Sequence, residues 1–319
     1  MPHMANTQTN DFSKGSVAGN ILRLALPMTV AQLINVLYSV VDRMYIGRLP
    51  DAAGNALTGL GLTFPILSIV TAFANLFGMG GSPLFSIQRG KGDRDRAQVI
   101  LGNTFALLVG TGVALTVVLL VLKRPLLYAF GASDATYPYA DGYLTIYLLG
   151  SVFVMISLGM NQFINAQGFG RTGMLTVLIG AVTNILLDPV FIFVLDMGVQ
   201  GAALATILSQ FLSAVWAVSF LRGKKALIRL EWGSMRLQPK LVWQIVSLGF
   251  SSFVMAITNS IVQVACNSTL QSFGGDLYVG VMTIINSVRE VVSTPINGVT
   301  SAAQPVMGFN YGAQEYRRV

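Results

Sequence analysis

Residues 99–122 read VILGNTFALLVGTGVALTVVLLVL, 24 consecutive positions without a charged side chain. About 20 apolar residues in a helix cross the hydrocarbon of a bilayer. Lipid offers no partner to an exposed peptide group, so a helix that satisfies its own backbone is the economical form for such a run. The rest of the chain agrees. Of its 319 residues, 53% are hydrophobic and 10% charged, where a soluble domain carries roughly 25% charge. The apolar residues come in blocks, not in amphipathic stripes. The fold class is therefore an all-α integral membrane protein, a polytopic helix bundle.

Eight apolar blocks predict spans at about 21–46, 57–80, 99–122, 141–164, 172–195, 199–221, 241–264 and 277–300. The N-terminal tail, the loops after the second, fourth and sixth spans, and the chain end carry fifteen Lys and Arg residues. The other side carries four: Arg43, Arg48, Lys123 and Arg124. That bias predicts a multi-pass protein of the plasma (inner) membrane with a cytoplasmic N-terminus. The net charge of +7 is then a matter of topology, and nucleic acid is not an expected partner. The opening "MPHMANTQTNDFSKGS" lacks the layout of a cleavable signal. His3 is the single histidine and Cys266 the single cysteine. Histidine relays, histidine metal sites and internal disulfides are thereby excluded.

After the second span comes "GGSPLFSIQRGKGDRDRA" (80–97), and after the eighth "AAQPVMGFNYGAQEYRRV" (302–319). Pro83 aligns with Pro305, Gly90 with Gly312, Asp93 with Glu315 and Arg96 with Arg318. Six spans separate the copies, so they run the same way through the membrane, a parallel repeat of the kind transporters use. The predicted organisation is a cytoplasmic tail (1–20), a six-helix N-lobe (21–221), a cytoplasmic inter-lobe loop (222–240) and a partial second lobe (241–319). Two full copies would need roughly 440 residues, so the chain reads as ending about four spans short of a twelve-span protein.

Within this apolar chain, "VTNILLDPVFIF" (182–193) is unusual. Asn184 and Asp188 are four residues apart and share a helix face. Pro189 then removes a backbone donor and kinks the helix. A charged aspartate at mid-membrane costs about 2.5–3.5 kcal/mol, so Asp188 is expected to face a cavity or a partner. The amide, the loosened backbone and the carboxylate make an oxygen-rich spot for a small hard cation or a proton. The alternative is a kinked helix whose aspartate bonds a neighbouring helix and transports nothing. Asp42, near the end of the first span, is either an interfacial acid neutralised by Arg43 or part of the same site. Gly198, Ala202 and Thr206 form a small-residue packing face, from which Thr206 is placed to reach Asp188. In the eighth span, adjacent Arg289 and Glu290 point about 100° apart. They read as a structural pairing with another helix or, together with Asn35, as substrate-cavity residues. Tyr128, Tyr137, Tyr139, Tyr143 and Tyr147 read as an interfacial belt first and a binding site second.

The segments "ALPMTVAQLINVLYSVVDRMYIGRL" (25–49), "NILLDPVFIF" (184–193), "MGVQGAALATILSQ" (197–210) and "AAQPVMGFNYGAQEYRR" (302–318) resemble multidrug and toxic compound extrusion (MATE) transporters, in their DinF- and MepA-like branch. The resemblance runs from about residue 15 to the end. It implies a monomeric twelve-helix antiporter of two lobes around a central cavity. Such a protein exports cationic amphipathic molecules against H⁺ or Na⁺ and needs no further cofactor. It also implies a coupling site of Asp42, Asn184, Asp188 and Thr206, which would hold the metal ion if Na⁺ is the partner. The seventh span departs from branches with an acid there, offering only Asn259, Gln263 and Asn267. A lipid-linked precursor flippase is the alternative in the same superfamily; it would want an arginine-rich cavity, and Arg289 is the one basic residue deep in a span. A passive channel is a further alternative. No HExxH, paired aspartate motif or Ser/His arrangement is present, so the expectation is that the protein is not an enzyme.

Overall fold

The computed structural model describes residues 11–46, 48 and 53–319, apart from the side chains of 43, 53, 260, 263–264, 267–268, 271, 274–280, 283–284, 286–288 and 290–291. The long helices are α1 (Val17–Ile46), α2 (Ala53–Gly90), α3 (Arg94–Ala129), α4 (Tyr137–Leu149), α5 (Ser151–Ala166), α6 (Gly170–Pro189), α7 (Gly198–Arg222) and α8 (Pro239–Gly312). No strand occurs among the described residues. Among those residues, six helices are long and apolar enough to cross a membrane. The α4–α5 pair, bent by 55°, supplies a seventh span. The single helix expected over 141–164 is thus two helices that meet at Gly150.

Lipid-facing and buried faces separate by helical period. On α3, Val113, Val117 and Val121 recur every fourth residue and are exposed, while Leu101, Leu108 and Leu119 are buried. The main core gathers side chains of α2, α3, α4 and α5, including Phe85, Leu108, Leu144 and Phe163. Phe85 and Phe163 pack edge to face at 5.3 Å. Asp93 starts α3 by accepting from the backbone N–H of Arg96 at 2.9 Å, an N-cap.

The helical run α8 has 74 residues; straight, it would reach about 110 Å. Yet both of its ends lie on one short part of α2. Gly249 presses against the backbone of Leu76 and Gly80 against that of Ile245, while Gly312 meets Ile87 and Gly90 meets Phe309. From residue 76 to residue 90 is only about 21 Å of helix. The run therefore reverses between its ends and forms two antiparallel limbs, consistent with spans at 241–264 and 277–300. Glycine at both 80 and 249 allows the backbones to touch, since a Cβ on either would collide with main chain.

The basic segments meet on one face. Asn310 Nδ2 and Arg318 Nη2 donate to the carbonyl of Phe12 at 3.2 and 3.1 Å. The Arg89 guanidinium lies 5.0 and 4.9 Å from the rings of Phe12 and Phe309 and donates to the carbonyl of Ala166 at 2.7 Å. The loop between α7 and α8 is clamped by two buried amides. Asn103 donates to the carbonyls of Ser234 (3.1 Å) and Arg236 (3.0 Å) and accepts from the N–H of Gln238 (2.8 Å). Gln167 accepts from Leu227 and Ile228 and donates back to Ile228. Thus the N-terminal segment, the ends of α2 and α5, the loop between α7 and α8 and the last residues share one side of the bundle.

Candidate functional site

Helical period presents the polar residues in pairs one turn apart: Tyr38 and Asp42 on α1, Tyr143 and Tyr147 on α4, Asn184 and Asp188 on α6. Thr206 faces them from α7. Asn184 and Asp188 are buried, the latter completely. The Asn184 amide donates to Asp188 Oδ1 at 3.3 Å and to Thr206 Oγ1 at 3.4 Å. Across the helix contact, the carboxyl groups of Asp42 and Asp188 lie close enough to interact. Tyr38 lies beside both acids, and Tyr143 neighbours Thr206.

The local backbone is shaped for this. Pro189 closes α6, and Val190–Val194 continue it as a π-helical turn, an irregularity often found at functional sites. Asp196 then takes a left-handed conformation, φ 50°, and turns the chain into α7. The bend expected at Pro189 is thus a widened turn after the proline.

Two neighbouring carboxyl groups repel when both are ionised. A shared proton or a bound cation would relieve that repulsion. Two further oxygens are available there: Asp188 Oδ2 and Asn184 Oδ1 are buried without a hydrogen-bond partner. Beside them is a cavity of about 50 Å³ lined by Asn35, Tyr38, Gly180, Asn184, Thr206 and Ser209, roomy enough for water. The donor set of carboxyl, amide and hydroxyl oxygens suits a hard monovalent cation as well as a proton.

Asp42, Asn184, Asp188 and Thr206, far apart in the chain, therefore converge. Thr206 reaches Asn184 and Tyr143 rather than Asp188 directly. Asn35 lines the cavity. Arg289 is exposed; the side chains of Glu290, Arg43, Gln263 and Asn267 lie outside the described residues. Tyr143 and Tyr147 are not belt residues. They are buried at 4% and 5% exposure and stack on each other at 6.2 Å, whereas Tyr128 is exposed and stacks on Tyr137 at 5.1 Å. Tyr38 escaped the sequence reading; its signal was the one-turn spacing to Asp42.

Many apolar spans around a polar site with two neighbouring carboxyl groups and its own cavity define a multi-pass membrane protein. Comparison with known proteins makes this specific. The MatE family model matches residues 27–190 and 251–319, and the chain belongs to that family. It is 25% identical over 318 residues to the multidrug export protein MepA of Staphylococcus saprophyticus, covering 98% of this chain and 69% of MepA. The MepA of Staphylococcus haemolyticus is 24% identical with the same coverage. A crystal structure of MATE in complex with MaD3S superposes with a TM-score of 0.91 at 25% identity, over 99% of this chain and 70% of that one. An outward-facing multidrug resistance MATE transporter of the MOP superfamily gives 0.90 at 25% identity, over 100% and 69%.

Proposed function

We propose that the protein is a secondary multidrug antiporter that exports cationic amphipathic molecules in exchange for H⁺ or Na⁺, by alternating access. The observation that carries this reading is the contact of Asp42 with Asp188 beside a cavity. A pair that must hold one positive charge can exchange it with water, and losing it drives the carboxylates apart. Asp42 sits on α1 and Asp188 next to the π turn of α6, so charge exchange is linked to the packing of those helices. The names of its relatives as multidrug export proteins agree.

In this reading the basic face is cytoplasmic, and α1 and α2 close against α8 there. The close contacts of Gly298 with Thr29, Gly249 with Leu76 and Gly90 with Phe309 all lie in the basic half of α1 and α2.

The test is dye efflux in everted membrane vesicles under separately imposed H⁺ and Na⁺ gradients. One of the two gradients is expected to drive efflux, and Asp188→Asn to abolish that response. Efflux that ignores both gradients discards antiport in favour of a passive channel.

A further inference from the structure

Three cavities lie end to end along the seam between α1 and α6. The first, about 50 Å³, adjoins Asn184. The second, about 150 Å³, shares Asn35, Leu158 and Val177 with the first and adds Asn161, Asn165 and Gly173. The third, about 760 Å³, shares Met174 with the second and reaches Arg23, Gly168 and Arg171 at the basic face. The lining residues descend in step on both helices. From Asn184 to Gly170 is about 21 Å of helix, the depth from the acid pair to that face.

The second cavity is polar where lipid-embedded packing would ordinarily be apolar. Asn165 is 5% exposed, and the Oδ1 atoms of Asn161 and Asn165 are buried without hydrogen-bond partners. Both oxygens flank Gly173: a Cβ there would overlap Asn165 Oδ1 and stand 3.1 Å from Asn161 Oδ1. The missing side chain leaves room for the two amide oxygens. Among the described residues, none lining the three cavities is acidic. Amide groups both donate and accept, so they order water without fixing a charge. That is the lining of a conduit, as in other water-filled pores.

We infer that this seam is a hydrated route through which the coupling cation, H⁺ or Na⁺, passes between the Asp42–Asp188 pair and the basic face. Gly173 is where the two unpartnered amide oxygens approach α6. The inference rests on the coupling role proposed for that pair, and it adds the path, the residues that line it and the side of the membrane it opens to.

The test uses single cysteines, Asn161→Cys and Asn165→Cys, each combined with Cys266→Ala. A small cationic methanethiosulfonate reagent is applied to everted vesicles, which present the basic face, and to right-side-out vesicles. Leu175→Cys, in the wide third cavity, is the accessible reference. The expected result is labelling of at least one deep position from the basic face, lost when Gly173→Val is added, with ion-driven efflux lost in Gly173→Val alone. A labelled reference with both deep positions inert overturns the route and leaves the coupling site standing. Asp188→Asn, assayed in parallel, separates the two: driven efflux that survives it overturns the coupling site even where the deep cysteines are labelled.

Discussion

Asn103 and Gln167 at the basic face, and Asn161, Asn165 and Asn184 inside the bundle, are amides in the same protein with opposite accounts of their polar atoms. Each amide of the first group uses both its oxygen and its nitrogen on backbone groups of the inter-lobe loop. Each of the second group keeps a buried oxygen with no protein partner. Buried polar atoms are nearly always paired, so the first group explains itself as architecture. The second presents acceptor oxygens that water or an ion can use. Satisfaction, and not burial or residue type, separates the amides that hold the fold from those proposed to serve transport.

The comparison can be broken most severely at Asp188. Asp188→Asn should reduce gradient-driven efflux to the undriven background, roughly tenfold or more, since ~1.4 kcal/mol of lost differential ion binding is already a factor of 10. It should leave thermal stability unchanged or raised, because it removes one of two adjacent acids. A large fall in Tm would recast the pair as structural. Next, Asn103→Ala strips partners from two carbonyls and one N–H of the loop. With each bond contributing about 1 kcal/mol, stability should fall by about 2–3 kcal/mol. Limited proteolysis within 223–238 should accelerate while driven efflux per folded molecule stays constant. Asn161→Leu should behave in the reverse sense. Its stability should change by less than about 1 kcal/mol, because an unpaired oxygen is removed, while driven efflux slows. Equal destabilisation by Asn103→Ala and Asn161→Leu would erase the distinction.

The smallest effect is expected at Asp11, outside the membrane. Burial pushes its carboxyl up, but the Ser13 hydroxyl at 2.6 Å, the Ser13 N–H at 3.1 Å and Lys14 outweigh this and hold it below the ordinary 3.8. Such a group stabilises the folded turn above its unfolded pKa, and the contribution fades as pH falls through its lowered value. Its ion pair with Lys14 is largely exposed, and pairs of that kind are worth about 0–1 kcal/mol. Asp11→Asn should therefore leave Tm near pH 7 almost unchanged and make the N-terminal segment slightly less sensitive to acid.

Much of this was legible in the chain alone. Lipid leaves the backbone no choice but to pair with itself, so long apolar runs such as 99–122 fix helices and membrane crossing without reference to neighbours. The helical period then places Asn184 and Asp188 on one face, and Pro189 marks the end of their helix. Charge counts alone put the N-terminal segment, three loops and the chain end on one side. Packing decided the rest. Whether Asp42 comes near Asp188, whether Tyr143 and Tyr147 face lipid or the interior, and where α8 doubles back all depend on how each helix is rotated and shifted against the next. That rotation is set by contacts such as Gly80 with Ile245, between residues distant in sequence, and no local period encodes it.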